Sequence, residues 1–303
     1  MNTTRTDMRT DGLLAGIAAY VMWGFFPIYF KYTAEVSPTE ILAHRVLWSV
    51  PFSLLIIIAR RQLRDVLAII KNPKTLLLLS FGAIALAVNW GVYIWAIQID
   101  QIFQGSLGYY INPLFFVLIG VVFFGEKLTR LQNLAVLLAT IGVAVLSVYG
   151  GQFPGIALTL AVSFGIYGVV RKQVAVGAMP GLMIEALVLL PAAIAYLLYL
   201  KHTGAIAFGL SSEHGDLDIT LLLIAAGPLT VMPLLCFAVA ARKLKLSTLG
   251  FLQFIGPTLQ FCLALYYGEV FTPAHAICFA FIWAAVFIFM WDGLRKKPIM
   301  ASS

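Results

Sequence analysis

Four ionisable residues lie inside long apolar runs of the chain and are the first candidates for chemistry. Glu40, His44 and Arg45 fall in one run, and Glu185 falls in another. An ionised side chain inside a bilayer costs roughly 2.5–3.5 kcal/mol on insertion scales, so such residues are functional candidates by default. The guanidinium of Arg45 can hold an anionic or polar group, and the carboxylate of Glu185 can act at an opposite gate or exchange a proton.

A structural role is the alternative for the same residues. Arg45 and Glu185 can extend toward lipid headgroups or form part of a structural network that includes backbone carbonyls. Glu40 stands one helical turn before His44, where it can cap the imidazole. The sequence leaves these alternatives open.

Uncharged polar and aromatic residues in the apolar runs form a second set of candidates. Small amphipathic molecules bind in pockets that combine apolar walls with a few polar groups that fix their orientation. For the two asparagines of this set, lining a pathway and bonding a neighbouring helix are equally good interpretations. The set comprises Trp23, Asn89, Trp90, Tyr93, Tyr109, Tyr110, Asn112, Gln253 and Gln260.

The composition identifies the kind of protein that must position these residues. Hydrophobic residues make up 61% of the chain and charged residues only 11%, against roughly 45–50% and about 25% in soluble domains. A water-soluble globular fold and a disordered chain are both excluded. The net charge is +7, but the chain has no soluble domain on which basic residues could form a nucleic-acid-binding surface, so no nucleic-acid partner is expected. In a membrane protein, an excess of basic residues indicates instead which loops are cytoplasmic.

Hydrophobic runs of membrane-spanning length recur along the whole chain. A spanning helix needs about 20 mostly apolar residues, because a rise of about 1.5 Å per residue must cross roughly 30 Å of hydrocarbon. The pattern predicts an all-α integral membrane protein with ten transmembrane helices. Their predicted spans are 12–31, 39–59, 75–97, 104–124, 131–149, 154–172, 181–200, 219–241, 247–268 and 273–292.

The basic residues indicate how these helices are oriented. Of the 20 Lys and Arg residues, 17 fall on the side that holds both termini. Lys31 and Lys201 fall on the opposite side, and Arg45 lies within the second span. Because short cytoplasmic loops are enriched in Lys and Arg, we predict that both termini are cytoplasmic.

The second half of the chain repeats features of the first half. Matched residues occur in the same order at offsets between 138 and 145. They predict two five-helix repeats, 12–149 and 154–292, and an odd number of helices makes the second repeat enter the membrane from the opposite side. Inverted repeats suit alternating access, in which two similar halves rock around one central site. The matches pair Gly16 with Gly155, Ile28 with Ile166, Pro51 with Pro191, Gly82 with Gly227, Leu107 with Leu249, Pro113 with Pro257, and Gly125 with Gly268.

Prolines are predicted near the middle of corresponding helices in the two repeats. Pro51 matches Pro191, and Pro113 matches Pro257. A proline inside a helix removes an internal hydrogen bond and frees a carbonyl, which must find a partner in protein or cavity water. We predict that these four residues act as hinges, and a simple packing kink is the alternative at each.

Four motifs follow the predicted helices in order. They are HRVLWS at 44–49, NWGVYIWA at 89–96, SLGYYINP at 106–113, and LSTLGF at 246–251 followed by IGPT at 255–258. Together they resemble the EamA family of the drug/metabolite transporter superfamily, from about residue 12 to 292. The resemblance implies a ten-helix permease of the bacterial inner membrane that exports small molecules. Gln104 and Gly105 stand where the resemblance implies an acidic residue.

The absence of nucleotide-binding and metal-binding motifs distinguishes a transporter from other classes of protein. The sequence has no G-x-x-x-x-G-K-[ST] nucleotide motif, and its four histidines are too scattered for a metal motif. We therefore expect no cofactor, no resident metal and no enzymatic activity. A membrane-embedded enzyme and a channel are the alternatives to a transporter. The expected partners are a small-molecule substrate and the lipid bilayer, and the sequence leaves open whether protons are coupled and whether the chain is a monomer or a homodimer.

Overall fold

The computed structural model describes residues 3–125, 127–209, 217–244 and 252–295, and within these ranges the regular elements are all α-helices. We number the helices in chain order as α1 (Thr3–Gly24), α2 (Phe26–Tyr32), α3 (Pro38–Ala59), α4 (Leu63–Ile70), α5 (Pro73–Gln98), α6 (Ile102–Phe124), α7 (Arg130–Val148), α8 (Gly155–Gln173), α9 (Ala178–Thr203), α10 (Leu217–Lys243), α11 (Ile255–Tyr266) and α12 (Pro273–Arg295).

Seven helical segments of the described chain are long and apolar enough to cross a membrane. They are Thr10–Tyr32, which joins α1 and α2, together with α3, α5, α7, α9, α10 and α12. The prediction of an all-helical integral membrane protein is therefore confirmed. Helices α6, α8 and α11 lie at the other three predicted spans, and the total of ten crossings stays a prediction.

Two predicted spans are interrupted where the sequence pattern predicted continuous helices. The first is divided at Phe25 into α1 and α2, with Pro27 in the first turn of α2. The ninth contains a turn at 253–254, between the helical Leu252 and α11, which begins at Ile255, so the prediction that Pro257 lies at mid-helix is wrong. A proline in a first turn removes no internal hydrogen bond, because its missing N–H would be unpaired there in any case.

The other predicted hinge prolines lie inside helices. Pro51, Pro113 and Pro191 fall within α3, α6 and α9. Pro51 and Pro191 are exposed on the outside of the bundle, whereas Pro113 and Pro257 are buried. The carbonyl oxygen of Pro257 accepts a hydrogen bond of 2.8 Å from the hydroxyl of Ser106 on α6. The hinge role of the four prolines stays a prediction.

The helices pack in a pattern that survives the exchange of the two halves of the chain. In this exchange α1 corresponds to α8, α3 to α9, α5 to α10, α6 to α11 and α7 to α12. Helix α1 packs on α10 and α11, and α8 packs correspondingly on α5 and α6. Helix α3 packs on α10, and α9 packs on α5. The remaining main contacts, α3 with α9, α6 with α11 and α7 with α12, are between equivalent helices.

Residue contacts show that equivalent helices run in opposite directions. Helix α1 runs parallel to α11, and α6 runs parallel to α8. Because α6 and α11 are antiparallel to each other, α1 and α8 must also run in opposite directions. Helices α7 and α12 are also antiparallel. The contacts that fix these directions are Tyr20 with Gly256, Gly24 with Leu259, Gln104 with Ile156, Gly108 with Leu160, Phe103 with Phe261, Tyr110 with Phe254, Gly142 with Cys278, and Gly150 with Ala274.

Glu269 joins the two halves of the chain at one end of the bundle, which we call the Glu269 end. It follows Gly268, whose positive φ of 77° ends the α11 segment. Its carboxylate accepts the backbone N–H groups of Ile102 and Phe103, the latter at 2.9 Å, at the start of α6. These N–H groups have no partner within their own helix, and a negative charge is favoured at a helix N-terminus. Burial raises the pKa of the Glu269 carboxyl above its ordinary value.

The sequence pattern alone indicated a different environment for Glu269. A glycine followed by a glutamate after an apolar helix predicts a helix stop with a solvated acid, and the same pattern at Gly125 precedes Glu126, which lies outside the described residues. The helix stop is present at both glycines, since Gly125 also has a positive φ. The solvated acid is wrong for Glu269, which is half-buried because a distant segment supplies donors for it.

The capping contact predicts a site-specific loss of stability. Glu269→Ala removes both acceptors and leaves two N–H groups at the start of α6 without a partner. We expect the free energy of unfolding to fall by about 0.5–2 kcal/mol, the usual range for a lost cap. Titration of the purified protein with denaturing detergent measures the change. Glu35→Ala, at an exposed acid of the α2–α3 connection, is the control, and equal effects of the two substitutions would contradict the role of the cap.

Candidate functional site

Arg45 is buried in the middle of the helix bundle and lies against an aromatic surface. Its side chain has 3% exposure, and its Nε donates a hydrogen bond of 3.0 Å to the hydroxyl of Thr230 on α10. The guanidinium carbon lies 4.3 Å from the ring centroid of Trp90, and 5.8 Å and 5.7 Å from those of Phe26 and Phe30. Such contacts stabilise a desolvated cation through the negative face of each ring.

Two tyrosines complete the surroundings of this cation. The ring of Tyr93 lies 5.9 Å from that of Phe30 and 5.3 Å from that of Tyr109. These two rings therefore extend the aromatic surface that Phe30 presents to the guanidinium. The Tyr93 hydroxyl is buried and makes no hydrogen bond in the described chain. We call the group that surrounds Arg45 the aromatic cage: Phe26, Phe30, Trp90, Tyr93 and Tyr109.

The charge of Arg45 has no acidic partner among the described residues. The ion pairs found there connect other groups, and the single hydrogen bond of the side chain goes to Thr230. Its two terminal nitrogens therefore keep their donors unused. A guanidinium in this condition is a ready site for an anionic or polar group.

Glycines bring the helices that carry this site close together. Gly227 lies against the backbone of Trp48, where an added Cβ would meet the carbonyl carbon at 2.4 Å. This close approach of α10 to α3 places Thr230, one turn beyond Gly227, beside Arg45. Gly105 faces the Tyr93 ring, and an added Cβ would lie 3.0 Å from it. Gly105, which stands with Gln104 where the family resemblance implies an acidic residue, thus leaves room for the aromatic ring of Tyr93.

Glu185 is buried on α9 and is paired with residues of α8. Its carboxylate lies 3.4 Å from Arg171 Nη1 and accepts a hydrogen bond of 3.3 Å from the Tyr167 hydroxyl, both on α8. Gly181 leaves the space that Arg171 occupies, since an added Cβ would collide with the guanidinium. Tyr167 and Arg171 are four residues apart on one helical face, which is the signal that could have indicated this pair.

A narrow cleft connects the surroundings of Glu185 with the aromatic cage. Its walls come from α3, α5 and α9, and Glu185 and Trp90 both line it. Arg45 and Glu185 each stand six residues before a matched proline, Pro51 and Pro191, but each has its own partners and they form no direct ion pair within the described chain. The lining residues are Val46, Ser49, Leu86, Trp90, Leu182, Glu185, Ala186 and Leu189.

His44 and Glu40 have contacts that fit the structural alternative. Trp48 donates a hydrogen bond of 3.3 Å from Nε1 to Nδ1 of His44, and Glu40 Oε1 lies 3.9 Å from its Nε2. The Glu40 carboxylate accepts the backbone N–H of Ala207 at 2.9 Å. These contacts fasten the connection that follows α9 onto α3. Phe208 of this connection packs on the imidazole at a centroid distance of 4.8 Å.

The two asparagine candidates are both buried but differ in their bonding. Asn89 donates to the carbonyl of Leu160 at 3.0 Å and to the hydroxyl of Ser163 at 3.1 Å, so it bonds α5 to α8. Asn112 keeps its side-chain oxygen without a hydrogen bond in the described chain. The structure thus favours helix bonding for Asn89 and leaves Asn112 with a free acceptor.

The other predicted site residues form a separate group around α1, α6 and α11. Tyr110 shares a hydrogen bond of 2.7 Å with Thr258, and Gln260 donates to the carbonyl of Trp23 at 3.3 Å. The side-chain oxygen of Gln260 is buried without a partner. Gln253 is half-buried in the turn before α11. Tyr110 lies in the same hydrophobic cluster as Phe26, Phe30 and Tyr93, and Trp23 packs against this cluster, so the group adjoins the aromatic cage.

The fold and this buried polar centre define a multi-pass helical membrane protein, and comparison with known proteins gives its family. Residues 10–148 match the EamA-like transporter family. The chain is 48% identical over 285 residues to an uncharacterized transporter of Vibrio cholerae, covering 94% of this chain and 93% of that protein. It is 46% identical to protein RarD of Salmonella typhi, covering 95% and 98% of the two chains. The chain belongs to the EamA family and is a membrane transporter of bacterial type.

A solved crystal structure shares the fold of this chain. It superposes with a TM-score of 0.59, covering 96% of this chain and 99% of its own, at 20% sequence identity. At this level of identity the likeness is one of fold alone. The family resemblance drawn from the four motifs is confirmed by the comparisons, whereas the roles of the individual site residues stay predictions.

The pairing of Glu185 with Arg171 predicts non-additive effects on stability. Arg171→Met leaves a buried carboxylate without its charged partner, which costs about 3–5 kcal/mol in fully buried pairs. We expect a loss on the order of 3 kcal/mol or less here, because the Arg171 side chain is 21% exposed. Adding Glu185→Gln to this variant restores most of the loss. Unfolding free energies of the single and double variants measure the coupling, and additive changes would show that the two residues act independently.

Proposed function

We propose that this protein is a secondary transporter that exports small amphipathic metabolites or drugs across the bacterial inner membrane by alternating access. In this proposal the chain forms ten transmembrane helices as two inverted five-helix repeats, residues 12–149 and 154–292. The observation that carries it is the packing pattern that survives exchange of the two halves, with equivalent helices opposed in direction. Halves related in this way can rock to open either face around one central site.

The location of the polar groups supports this mechanism. Trp90 of the aromatic cage and Glu185 both line a cleft whose walls come from α3, α5 and α9, and so from both repeats. We assign Arg45, Trp90, Tyr93 and Tyr109 to substrate contact. Glu185 serves the opposite gate, where it is also the candidate for exchange of a proton with the substrate.

The remaining predicted site residues take supporting roles in this proposal. His44 holds the α9–α10 connection in place, and Asn89 bonds two helices of the bundle. A further polar group lies between α1, α6 and α11, where it lines the second part of the pathway. It comprises Trp23, Tyr110, Asn112, Gln253 and Gln260.

The orientation follows from the distribution of basic residues. The α4 end of the bundle, opposite the Glu269 end, carries Arg60, Arg61, Arg64, Lys71 and Lys74 around an amphipathic helix whose leucines are exposed. Basic residues are enriched on the cytoplasmic side, so the α4 end and both termini are cytoplasmic in this proposal. The direction of export follows the family resemblance.

Accessibility of one cleft residue tests alternating access without knowledge of the substrate. Ser49→Cys is made in a chain in which Cys236, Cys262 and Cys278 are replaced by alanine, and is labelled with impermeant thiol reagents in vesicles of known orientation. A disulfide between Gly12→Cys and Lys243→Cys then closes the α4 end, where these positions are in contact. We expect the disulfide to abolish labelling from the α4 side and to increase labelling from the Glu269 side severalfold, because closing one side shifts the population toward the other.

Two controls accompany this measurement. A variant that keeps only Cys278, which is fully buried between α7 and α12, reports leakage of the reagent through the membrane or the protein. Reduction of the disulfide should restore the original rates. A fixed pore would show no increase on the Glu269 side when the α4 side is closed, and this result would remove alternating access from the proposal.

A further inference from the structure

We propose that the aromatic cage binds the carboxylate group of a small organic monoanion, with the apolar body of the molecule against the surrounding rings. This inference rests on the transport function proposed above and names the substrate class of the same site. It follows from the charge of the cage, from the donors that Arg45 leaves unused and from the chemistry of the walls.

The charge of the cage selects the charge of the ligand. Arg45 is its single formal charge among the described residues, and the side chain contacts aromatic rings and hydroxyls in place of a carboxylate. The nearby Glu185 is already paired with Arg171, so this pair adds no net charge. One negative charge on the ligand makes the site neutral, whereas a phosphate dianion leaves an uncompensated buried charge and a cationic amphiphile adds a second positive one.

The geometry of the guanidinium selects the group that carries this charge. Nε is bonded to Thr230, and the guanidinium carbon lies 4.3 Å from the centroid of the Trp90 ring. The edge formed by the two terminal nitrogens is left, and it presents parallel N–H donors at the spacing of the two oxygens of a carboxylate. The Tyr93 hydroxyl, buried beside the same charge without a partner, can donate a further hydrogen bond.

The walls of the site select the rest of the ligand. Phe26 and Phe30 border the guanidinium, and Leu86, Leu182 and Leu189 line the cleft behind Trp90. Burial of an apolar body against these groups is favourable, while additional polar groups would lose their water without gaining partners.

Ligand binding by matched compounds tests the charge requirement. Benzoate, phenylacetate, indole-3-acetate and hexanoate are titrated against the purified protein in nanodiscs, with tryptophan fluorescence and thermal stability as readouts. Phenylacetamide, phenethylamine and phenyl phosphate are the neutral, cationic and dianionic controls. We expect at least one carboxylate to bind saturably and at least tenfold more tightly than each control of similar size. Failure of all four carboxylates, or equal binding of phenylacetamide, would overturn the inference.

Variants of Arg45 show whether the binding occurs at the cage. Arg45→Met should weaken carboxylate binding by tenfold or more, since it removes a charged donor pair. Arg45→Lys keeps the charge but not the fork of two donors, so it should give an intermediate affinity and preserves a test if Arg45→Met does not fold. Lys201→Met, at an exposed cation far along α9, is the control that should leave the affinity unchanged. Unchanged binding in both Arg45 variants would place the ligand elsewhere.

Failure of the carboxylate inference can be distinguished from failure of the transport proposal. If the carboxylates do not bind but the labelling of Ser49→Cys still alternates between the two faces, the substrate class is wrong and the transport mechanism stands. If labelling does not alternate, the mechanism fails whatever the cage binds.

Discussion

The buried charge of Arg45 is the constraint on which the arrangement of this protein depends. A cation near the middle of a bilayer is costly unless the protein replaces its lost water. Here the replacement comes from the faces of aromatic rings and one hydroxyl. Ring faces stabilise a desolvated cation without neutralising it. An acidic side chain beside Arg45 would have paired with the charge, but it would also have occupied the guanidinium edge that a ligand can bind. The described structure places no acidic side chain there.

The position of this charge depends in turn on close contacts between the two halves of the chain. Thr230 reaches Arg45 because Gly227 lets α10 approach the backbone of α3, and Trp90 reaches it from α5 of the same half. At the Glu269 end the halves are tied by the cap on α6. In the proposed mechanism, bonds of this kind break and reform as the two halves rock, while the helices stay packed. This is the property that a transporter with inverted halves requires.

Much of the fold was predictable from the sequence because the bilayer imposes it. Apolar runs of the required length gave helices at the predicted places, and Arg45 was identifiable as a candidate because a charge inside such a run is costly. The order of matched residues in the two halves also predicted which helices are equivalent. These are properties of local sequence or of its repetition.

The errors arose where segments distant in the chain meet. Arg171 falls at the end of the predicted span 154–172, and the apolar run itself does not show that its partner is Glu185 on α9. Glu269 was interpreted as solvated because its donors are more than 160 residues away in sequence. Pro257 was placed at mid-helix because an uncharged run does not show where a turn interrupts it. No local pattern contains the information about these contacts.

Distances between spin labels at the two ends of the bundle test the central claim, that the site is exposed to one face at a time. One pair of labels is placed at Tyr32 and Tyr266, which are exposed at the Glu269 end, and a second pair at Lys71 and Lys243 at the α4 end. Pulsed electron paramagnetic resonance in nanodiscs should show two distance populations for each pair. Any condition that increases the population of the long distance at one end should increase the population of the short distance at the other end. A single fixed distance at both ends, or lengthening at both ends together, would contradict the account.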